Sequence, residues 1–184
     1  MIVVIEFPKA SELNQILYDR VCENLRDWGD GRGPGGLRTG WNFHEQKIKE
    51  IDELTSWITH ILPNVSKHFA IKPKDLPPHL LGDVTLIENK MCGYNVNAFE
   101  IAECWGIHYN RDDRLSEHCH FPYTLSFVYY VKTPKGSSPI IIENETHDIK
   151  EGQCVFFLAT QYHGVSQNDC DGRCAIVGNI LYRF

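Results

Sequence analysis

The residues of this sequence most able to do chemistry are three histidines and an arginine in its last third. His118 and His120 stand two residues apart in an extended stretch, so their side chains are expected on one face of a strand. His163 follows 43 residues after His120, and Arg173 lies ten residues beyond it. Neutral imidazoles from two strands can bind a divalent metal, and a nearby arginine can hold a carboxylate at two points. The pattern predicts a metal site beside an anion-binding arginine.

The number of ligands indicates what kind of metal site this would be. Three imidazoles on one side of a metal leave up to three coordination positions open, which distinguishes a reactive site from a closed structural one. Glu117 and Cys119 alternate with the neighbouring histidines and are expected to point away. An H-x-H pair alone is more often two half-exposed strand histidines. The third histidine and the arginine are what favour the metal site.

Composition narrows the class of protein. The 184 residues are 42% hydrophobic and 23% charged, which is typical of one globular domain with a buried core. The net charge of −6 argues against a nucleic acid or an anionic membrane as partner. We expect a cytoplasmic protein, because no apolar stretch suits a signal peptide or a membrane span. The seven cysteines are scattered, with no C-x-x-C pair, which predicts free thiols.

The first part of the chain has helical periodicity. Apolar residues at helical spacing predict a helix that begins at the N-cap Ser11 and runs to about residue 28. Residues 29–40 hold six glycines and are expected to form a loop, which is a candidate lid. A second helix is predicted over residues 44–62, with Pro63 ending it.

From residue 83 the pattern is that of β-strands. With a first strand near the N-terminus, the candidates are residues 1–8, 84–87, 95–110 with a break near Gly106, 117–121, 124–132, 138–143, 153–158, 162–167 and 173–183. Helices followed by short strands predict an α+β fold in which helices pack on one face of a barrel-like pair of sheets. We expect a single domain over 1–184, with a helical part (1–82) and a β core (83–184).

Five motifs in the last 80 or so residues, taken in order, resemble a known family. They are Trp105-Gly106-Ile107-His108-Tyr109-Asn110, His118-Cys119-His120-Phe121-Pro122, Ser126-Phe127-Val128-Tyr129-Tyr130-Val131, His163-Gly164-Val165 and Arg173. The chain resembles the 2-oxoglutarate/Fe(II)-dependent dioxygenases, in particular their prolyl-hydroxylase-like group. The resemblance implies a double-stranded β-helix (a jelly-roll or cupin-like barrel) with supporting N-terminal helices. It departs from the wider family at His120, where most members carry an Asp or Glu.

The resemblance also implies roles for individual residues. His118, His120 and His163 would hold Fe(II), and Arg173 would bind the far carboxylate of 2-oxoglutarate with help from Tyr109. A core tyrosine with a satisfied hydroxyl is an equal alternative for Tyr109. Three imidazoles in place of two and a carboxylate would leave the iron with a higher net positive charge, which could favour another metal.

Residues 124–132 offer further contacts for the cosubstrate. Ser126 and Tyr130 share strand parity and are candidates to face the pocket, with Tyr129 as the competing choice. Asn110, Asn168 and Asn179 are candidates to support the site from behind its ligands, but a turn or fold role is favoured for each. Aromatic residues that could line a substrate groove, or equally belong to the core, are Tyr94, Phe99, Trp105, Tyr123 and Tyr162.

The implied reaction consumes O₂ and 2-oxoglutarate, releases succinate and CO₂, and hydroxylates a peptide side chain or a small molecule. Two other hypotheses remain open. A cupin-type metal enzyme without 2-oxoglutarate would share the three histidines, but it would usually carry a glutamate shortly after H-x-H, where this chain has none. A β-helix domain without enzymatic activity would bind a ligand or a partner but no stoichiometric iron.

Overall fold

Two antiparallel β-sheets face each other, and two helices pack on the outer face of the larger sheet. The structure is a computed structural model, and it describes residues 1–26, 35–69 and 99–182. This is the α+β, double-stranded β-helix architecture that the sequence predicts. The predicted strand at 84–87 and the first half of the glycine-rich loop, residues 29–34, lie outside the described residues.

Helix α1 (Ala10–Glu23) is shorter than its sequence pattern indicates. Its N-cap is Lys9 rather than Ser11, and it ends five residues before the predicted end at about 28. The early end has a physical cause, because the backbone N–H of Arg26 donates to the carbonyl of Arg38 at 2.8 Å. That bond turns the chain out of the helix and into a short β-bridge.

Helix α2 (Lys49–Phe69) is longer than predicted, since Pro63 lies inside it. A short 3₁₀ helix (Phe43–Glu45) precedes it, where the sequence predicted the start of the α-helix. Proline removes one backbone hydrogen bond and crowds the preceding turn, which disfavours a helix. Here the turns around and beyond it bury Leu62 and Val65 in the core, and this burial offsets the cost.

Ten strands form the two sheets among the described residues. The larger sheet has the order β1-β8-β5-β10-β3-β2, with β1 Val3–Glu6, β2 Leu37–Arg38, β3 Phe99–Tyr109, β5 Leu125–Lys132, β8 Gln153–Leu158 and β10 Arg173–Tyr182. The smaller sheet has the order β4-β9-β6-β7, with β4 Leu115–His118, β6 Ile140–Ile142, β7 Glu145–His147 and β9 His163–Val165. Strands β2 and β7 were not predicted from the sequence.

Strand β3 runs unbroken through Gly106, so the predicted break at this residue is wrong. Gly106 pairs with Ile176 of β10 in a continuous register. A Cβ atom at residue 106 would lie 2.7 Å from a methyl group of Val21 on α1. The glycine therefore serves close packing of the helix on the strand rather than a bend.

The larger sheet separates two apolar cores. One lies between this sheet and the helices and includes Leu17, Leu54 and Phe127. The other lies between the two sheets and includes Val128 and Phe157. Alternation along each strand sends neighbouring residues into different cores. As a result, the inner face of the larger sheet is available to form a pocket.

Two observations bear on expectations from composition. The six described cysteines are free thiols, as predicted, and Cys92 lies outside the described residues. Within the part of the chain that the structure describes, no helix is long and apolar enough to cross a membrane.

Two adjacent residues of α1 test the packing on the helix side. Leu17 is fully buried, whereas its neighbour Ile16 is 37% exposed. We expect Leu17→Ala to lower the free energy of unfolding by about 2–5 kcal/mol, because it leaves a cavity in a closed core. Ile16→Ala should cost much less, and urea denaturation of both variants measures the difference. Equal losses would contradict this placement of α1.

Candidate functional site

A pocket lies between the two sheets. Both sheets contribute to its wall, which is formed by Trp105, Ile107, Tyr109, Leu115, His118, His120, Val128, Tyr130, Ile140, His163, Val165, Arg173, Ala175 and Val177. Most of these side chains are apolar. The polar ones are the three histidines, two tyrosines and the arginine that the sequence singled out. Ser126, which the sequence also singled out, is not part of the wall.

The three predicted histidines converge on one side of the pocket. His118 of β4 and His163 of β9 are directly paired across the smaller sheet. One ring nitrogen of each of the three histidines lies within 4.8 Å of those of the other two. The ring centroids are 4.4–5.0 Å apart. This spacing would allow all three imidazoles to share one metal ion.

Two of the rings are oriented by the backbone of their own strands. Nδ1 of His118 lies 2.8 Å from the carbonyl oxygen of Ser116, and Nδ1 of His163 lies 3.2 Å from that of Gln161. A carbonyl only accepts, so each neutral ring carries its proton on Nδ1. The lone pair of each ring is then on Nε2, as a metal ligand requires.

His163 is held neutral by its surroundings. It is 4% exposed, and its ring packs against Phe157 at a centroid distance of 4.6 Å. Burial, with His118 and His120 as further causes, lowers the pKa of His163 to about 3. The ring is therefore uncharged at neutral pH, which is the form that binds metals.

His120 is held differently, because β4 ends at His118. The predicted strand over 117–121 is too long, and His120 lies just beyond the ladder, two residues before Pro122. Its backbone N–H donates to the carbonyl of Ala159 at 2.7 Å. Its ring lies near Trp105, at a centroid distance of 5.8 Å, and its Nδ1 is 3.3 Å from Nδ2 of Asn179. His120 thus reaches the cluster from a turn rather than from a strand.

Arg173 opens into the same pocket from the larger sheet. It is 1% exposed, and its Nε has no hydrogen-bond partner among the described residues. The guanidinium carbon lies 4.6 Å from the ring centroid of Tyr109 and 5.4 Å from that of Tyr130. A buried cation without a full set of partners is costly, so this arrangement suits an anion that enters the pocket.

Tyr130, not Tyr129, faces the pocket. The hydroxyl of Tyr130 is buried and has no partner among the described residues, and burial raises its pKa to about 12 although Arg173 opposes this shift. The hydroxyl of Tyr129 instead donates to Asn14 of α1, on the helix side of the sheet. Tyr109 is also buried in the pocket wall, where burial raises its pKa against the influence of Arg173.

Ser126 shares the face of Tyr130 but lies at the His120 end of the pocket. It is fully buried and donates to Oδ1 of Asn179 at 3.0 Å. A fold role was favoured for Asn179, with support of the site from behind as the alternative, and the structure places its Nδ2 against Nδ1 of His120. The signal was available, because Asn179 lies six residues after Arg173 on the same strand and so shares its face.

The candidate groove residues are divided by the fold. Trp105 lines the pocket, whereas Phe99 is buried in the core on the helix side. Tyr162 is 53% exposed, and Tyr94 lies outside the described residues. Asn168 has the predicted fold role, since its amide binds the backbone carbonyls of Asn110 and Cys170.

Comparison with known proteins supports the fold. The sequence matches no protein-family model and no curated protein. A prolyl-4-hydroxylase from Pseudomonas putida aligns with 99% of this chain and 92% of its own, at a TM-score of 0.65 and 14% identity.

Two further structures align over nearly the whole chain. A viral collagen prolyl hydroxylase from Paramecium Bursaria Chlorella virus-1, solved with 2-oxoglutarate, covers 97% of this chain and 94% of its own (TM-score 0.63, 12% identity). A Trichoplax adhaerens prolyl hydroxylase, solved with a hypoxia inducible factor peptide fragment, covers 97% of this chain and 82% of its own (TM-score 0.57, 12% identity). These likenesses confirm the double-stranded β-helix of the prolyl hydroxylase kind.

The low pKa of His163 predicts a pH dependence of stability. An unfolded histidine takes up a proton near pH 6.5, whereas folded His163 does so only at about 3. The unfolded chain therefore binds more protons between these values, and the free energy of unfolding should fall as the pH is lowered through this window. The fall is at most about 1.4 kcal/mol per pH unit for one group.

His163→Gln removes this titration. Urea denaturation in a chelating buffer, at several pH values between about 7 and 5, should show a smaller decrease for the variant than for the wild type. Parallel curves for the two proteins would mean that His163 is not buried in the neutral form.

Proposed function

We propose that this protein is an Fe(II)- and 2-oxoglutarate-dependent dioxygenase that hydroxylates a peptide side chain or a small molecule and releases succinate and CO₂. One observation carries the proposal. Three imidazoles and a buried arginine with an unpartnered Nε open into one pocket from opposite sheets. Such a pocket would hold a metal at one end and a carboxylate at the other.

The metal would be held by His118, His120 and His163. When bound, Fe(II) with 2-oxoglutarate supplies the oxygen chemistry. The chain has to bind and orient the reactants and exclude water. The ring orientations of His118 and His163 are already suited to coordination through Nε2. Phe157 and Trp105 pack against the histidines and keep this end of the pocket apolar.

The far carboxylate of 2-oxoglutarate would be bound by Arg173. A guanidinium forms two parallel hydrogen bonds with a carboxylate, and these are stronger where water is excluded. The buried hydroxyl of Tyr130, and that of Tyr109, could donate to the same carboxylate. Binding of this anion would offset the cost of burying Arg173.

The substrate would enter at the exposed end of the pocket. Phe121 and Tyr162, which are adjacent in sequence to His120 and His163, are 76% and 53% exposed. Exposed aromatic side chains beside a reactive centre suit an apolar or peptide substrate. The peptide bound to the Trichoplax prolyl hydroxylase is consistent with this substrate class, since the fold is shared.

A cupin-type metal enzyme that does not use 2-oxoglutarate is the second candidate. The observation that favours it is the imidazole of His120 in the place where most dioxygenases of the first class carry a carboxylate. The two candidates differ in what they require of Arg173, because only the first binds the second carboxylate of 2-oxoglutarate.

Arg173→Gln tests the proposal directly. Metal-free protein is titrated anaerobically with Fe(II) and then with 2-oxoglutarate, and the weak visible charge-transfer band of the chelated cosubstrate is followed. We expect Arg173→Gln to weaken 2-oxoglutarate binding about 100-fold, because a buried charge-assisted pair is lost, while Fe(II) binding is retained.

Arg111→Gln is the matched control, since Arg111 is exposed and pairs with Asp169 away from the pocket. It should leave both binding steps unchanged. A wild-type protein that binds Fe(II) but gives no band would favour the cupin-type enzyme. Absence of Fe(II) binding would argue against both enzymes.

Tyr130→Phe tests the second contact to the carboxylate. We expect about tenfold weaker 2-oxoglutarate binding without loss of stability, because this hydroxyl gives up no partner in the described protein. Tyr129→Phe should lower the stability but leave 2-oxoglutarate binding unchanged, because it breaks the buried bond to Asn14 and residue 129 does not face the pocket. Cosubstrate titrations and thermal melts of both variants provide the comparison. Unaltered cosubstrate affinity in Tyr130→Phe would remove this tyrosine from the binding site.

A further inference from the structure

A row of polar side chains crosses the larger sheet at the His120 end of the pocket. Asn179 on β10 is paired in register with Glu103 on β3 and with Ser126 on β5. Asn179 is 1% exposed, and Ser126 is fully buried. A buried amide makes nearly all of its hydrogen bonds. The contacts of Asn179 therefore determine how its side chain is turned.

Two neighbours bond to the Asn179 amide, and Glu103 sets its direction. Oε2 of Glu103 lies 2.9 Å from Nδ2, and the hydroxyl of Ser126 donates to Oδ1 at 3.0 Å. An ionised carboxylate only accepts, so a reversed amide would place two acceptors against each other. The NH₂ group thus stays toward Glu103, and its second hydrogen faces Nδ1 of His120 across 3.3 Å.

The three pocket histidines consequently face different partners at Nδ1. His118 and His163 face backbone carbonyls, which accept, so their ring protons lie on Nδ1. His120 faces an N–H donor, so its Nδ1 accepts. In the neutral ring of His120, the proton is then on Nε2.

We propose that Asn179 is a positioning residue for His120 and holds its ring in the tautomer opposite to that of His118 and His163. A metal ion takes the lone pair of one imidazole nitrogen, while the other nitrogen donates to an acceptor. His118 and His163 meet both conditions as they are folded. His120 meets them only after the amide of Asn179 turns to present Oδ1 and the ring proton moves from Nε2 to Nδ1. The ring carries one N–H before and after this change.

Asn179 thereby makes His120 the weakest of the three ligands. Glu103 opposes the turn of the amide, since a carboxylate only accepts and its bond to Nδ2 must break, whereas the hydroxyl of Ser126 can donate or accept and suits either orientation. The inference rests on the metal centre of the proposed function, but its first test requires no metal.

The first test is side-chain nitrogen NMR of isotope-labelled, metal-free protein at mildly alkaline pH, which distinguishes the two tautomers of each imidazole. We expect the Nε2-protonated form for His120 and the Nδ1-protonated form for His118 and His163. Nδ1 protonation of all three rings would overturn the proposal.

Two variants show whether Asn179 is the cause. Asn179→Leu removes the donor at nearly constant volume, and His120 should lose its preference for the Nε2-protonated form. Glu103→Gln is milder and keeps the fold contacts, yet its amide can donate to Oδ1, so it should shift His120 in the same direction. Asn14→Leu removes a buried amide on the opposite face of the sheet and should leave the tautomers unchanged. A tautomer of His120 that is unaffected by both site variants would refute the role of Asn179.

The second test measures the affinity for Zn(II) alone, by competition with a chromophoric chelator. Glu103→Gln should bind Zn(II) about five- to tenfold more tightly than the wild type, because the amide of Asn179 can then present Oδ1 to His120 while it stays hydrogen-bonded to residue 103. Equal or weaker affinity would overturn the proposal while leaving the metal centre in place. If His118→Ala binds Zn(II) with the same affinity as the wild type, the metal centre itself is refuted. The effect of Asn179 on metal affinity is then refuted with it.

Discussion

The register of β10 between β3 and β5 is the constraint on which the pocket depends. In this register Arg173 lies opposite Tyr109, and Asn179 lies opposite Glu103. Because alternate residues of a strand face opposite sides, a slip of one residue would turn Arg173 toward the helices and bring Cys174 into the pocket. Backbone pairing to a strand on each side opposes such a slip from Cys174 to Ile180 of β10.

The same alternation separates stability from chemistry within each strand. Tyr129 is bonded to α1 and belongs to the helix-side core, whereas Tyr130, one residue later, presents its hydroxyl to the pocket. The outer face of the larger sheet is closed by apolar packing, with Gly106 allowing α1 to approach the backbone closely. The polar groups of the inner face can therefore remain incompletely paired, since the opposite core stabilises the sheet that carries them.

Much of the site was predictable because it depends on residue type and local spacing. Arg173 and the pocket-facing choice of Tyr130 follow from strand parity, and the three histidines follow from a resemblance in motif order, although His120 lies beyond the strand. The errors at Pro63 and Gly106 share a cause, since both residues are local signals of a break whose effect tertiary packing overrides. Spacing to Arg173 indicates the face of Asn179, but its partners could not be identified from sequence, because they are 76, 59 and 53 residues away.

The location of His120 beyond the end of β4 has a consequence for how such a site can diverge in evolution. His118 and His163 are cross-strand partners, so a residue that is poorly suited to a strand would disturb the ladder at either position. The side chain at position 120 belongs to no ladder and can be exchanged without altering a strand pair. An imidazole in place of a carboxylate is therefore a change that the scaffold tolerates at low cost. Exchange at position 120 would thus change the net charge at this end of the pocket while the strands around it stay paired as they are.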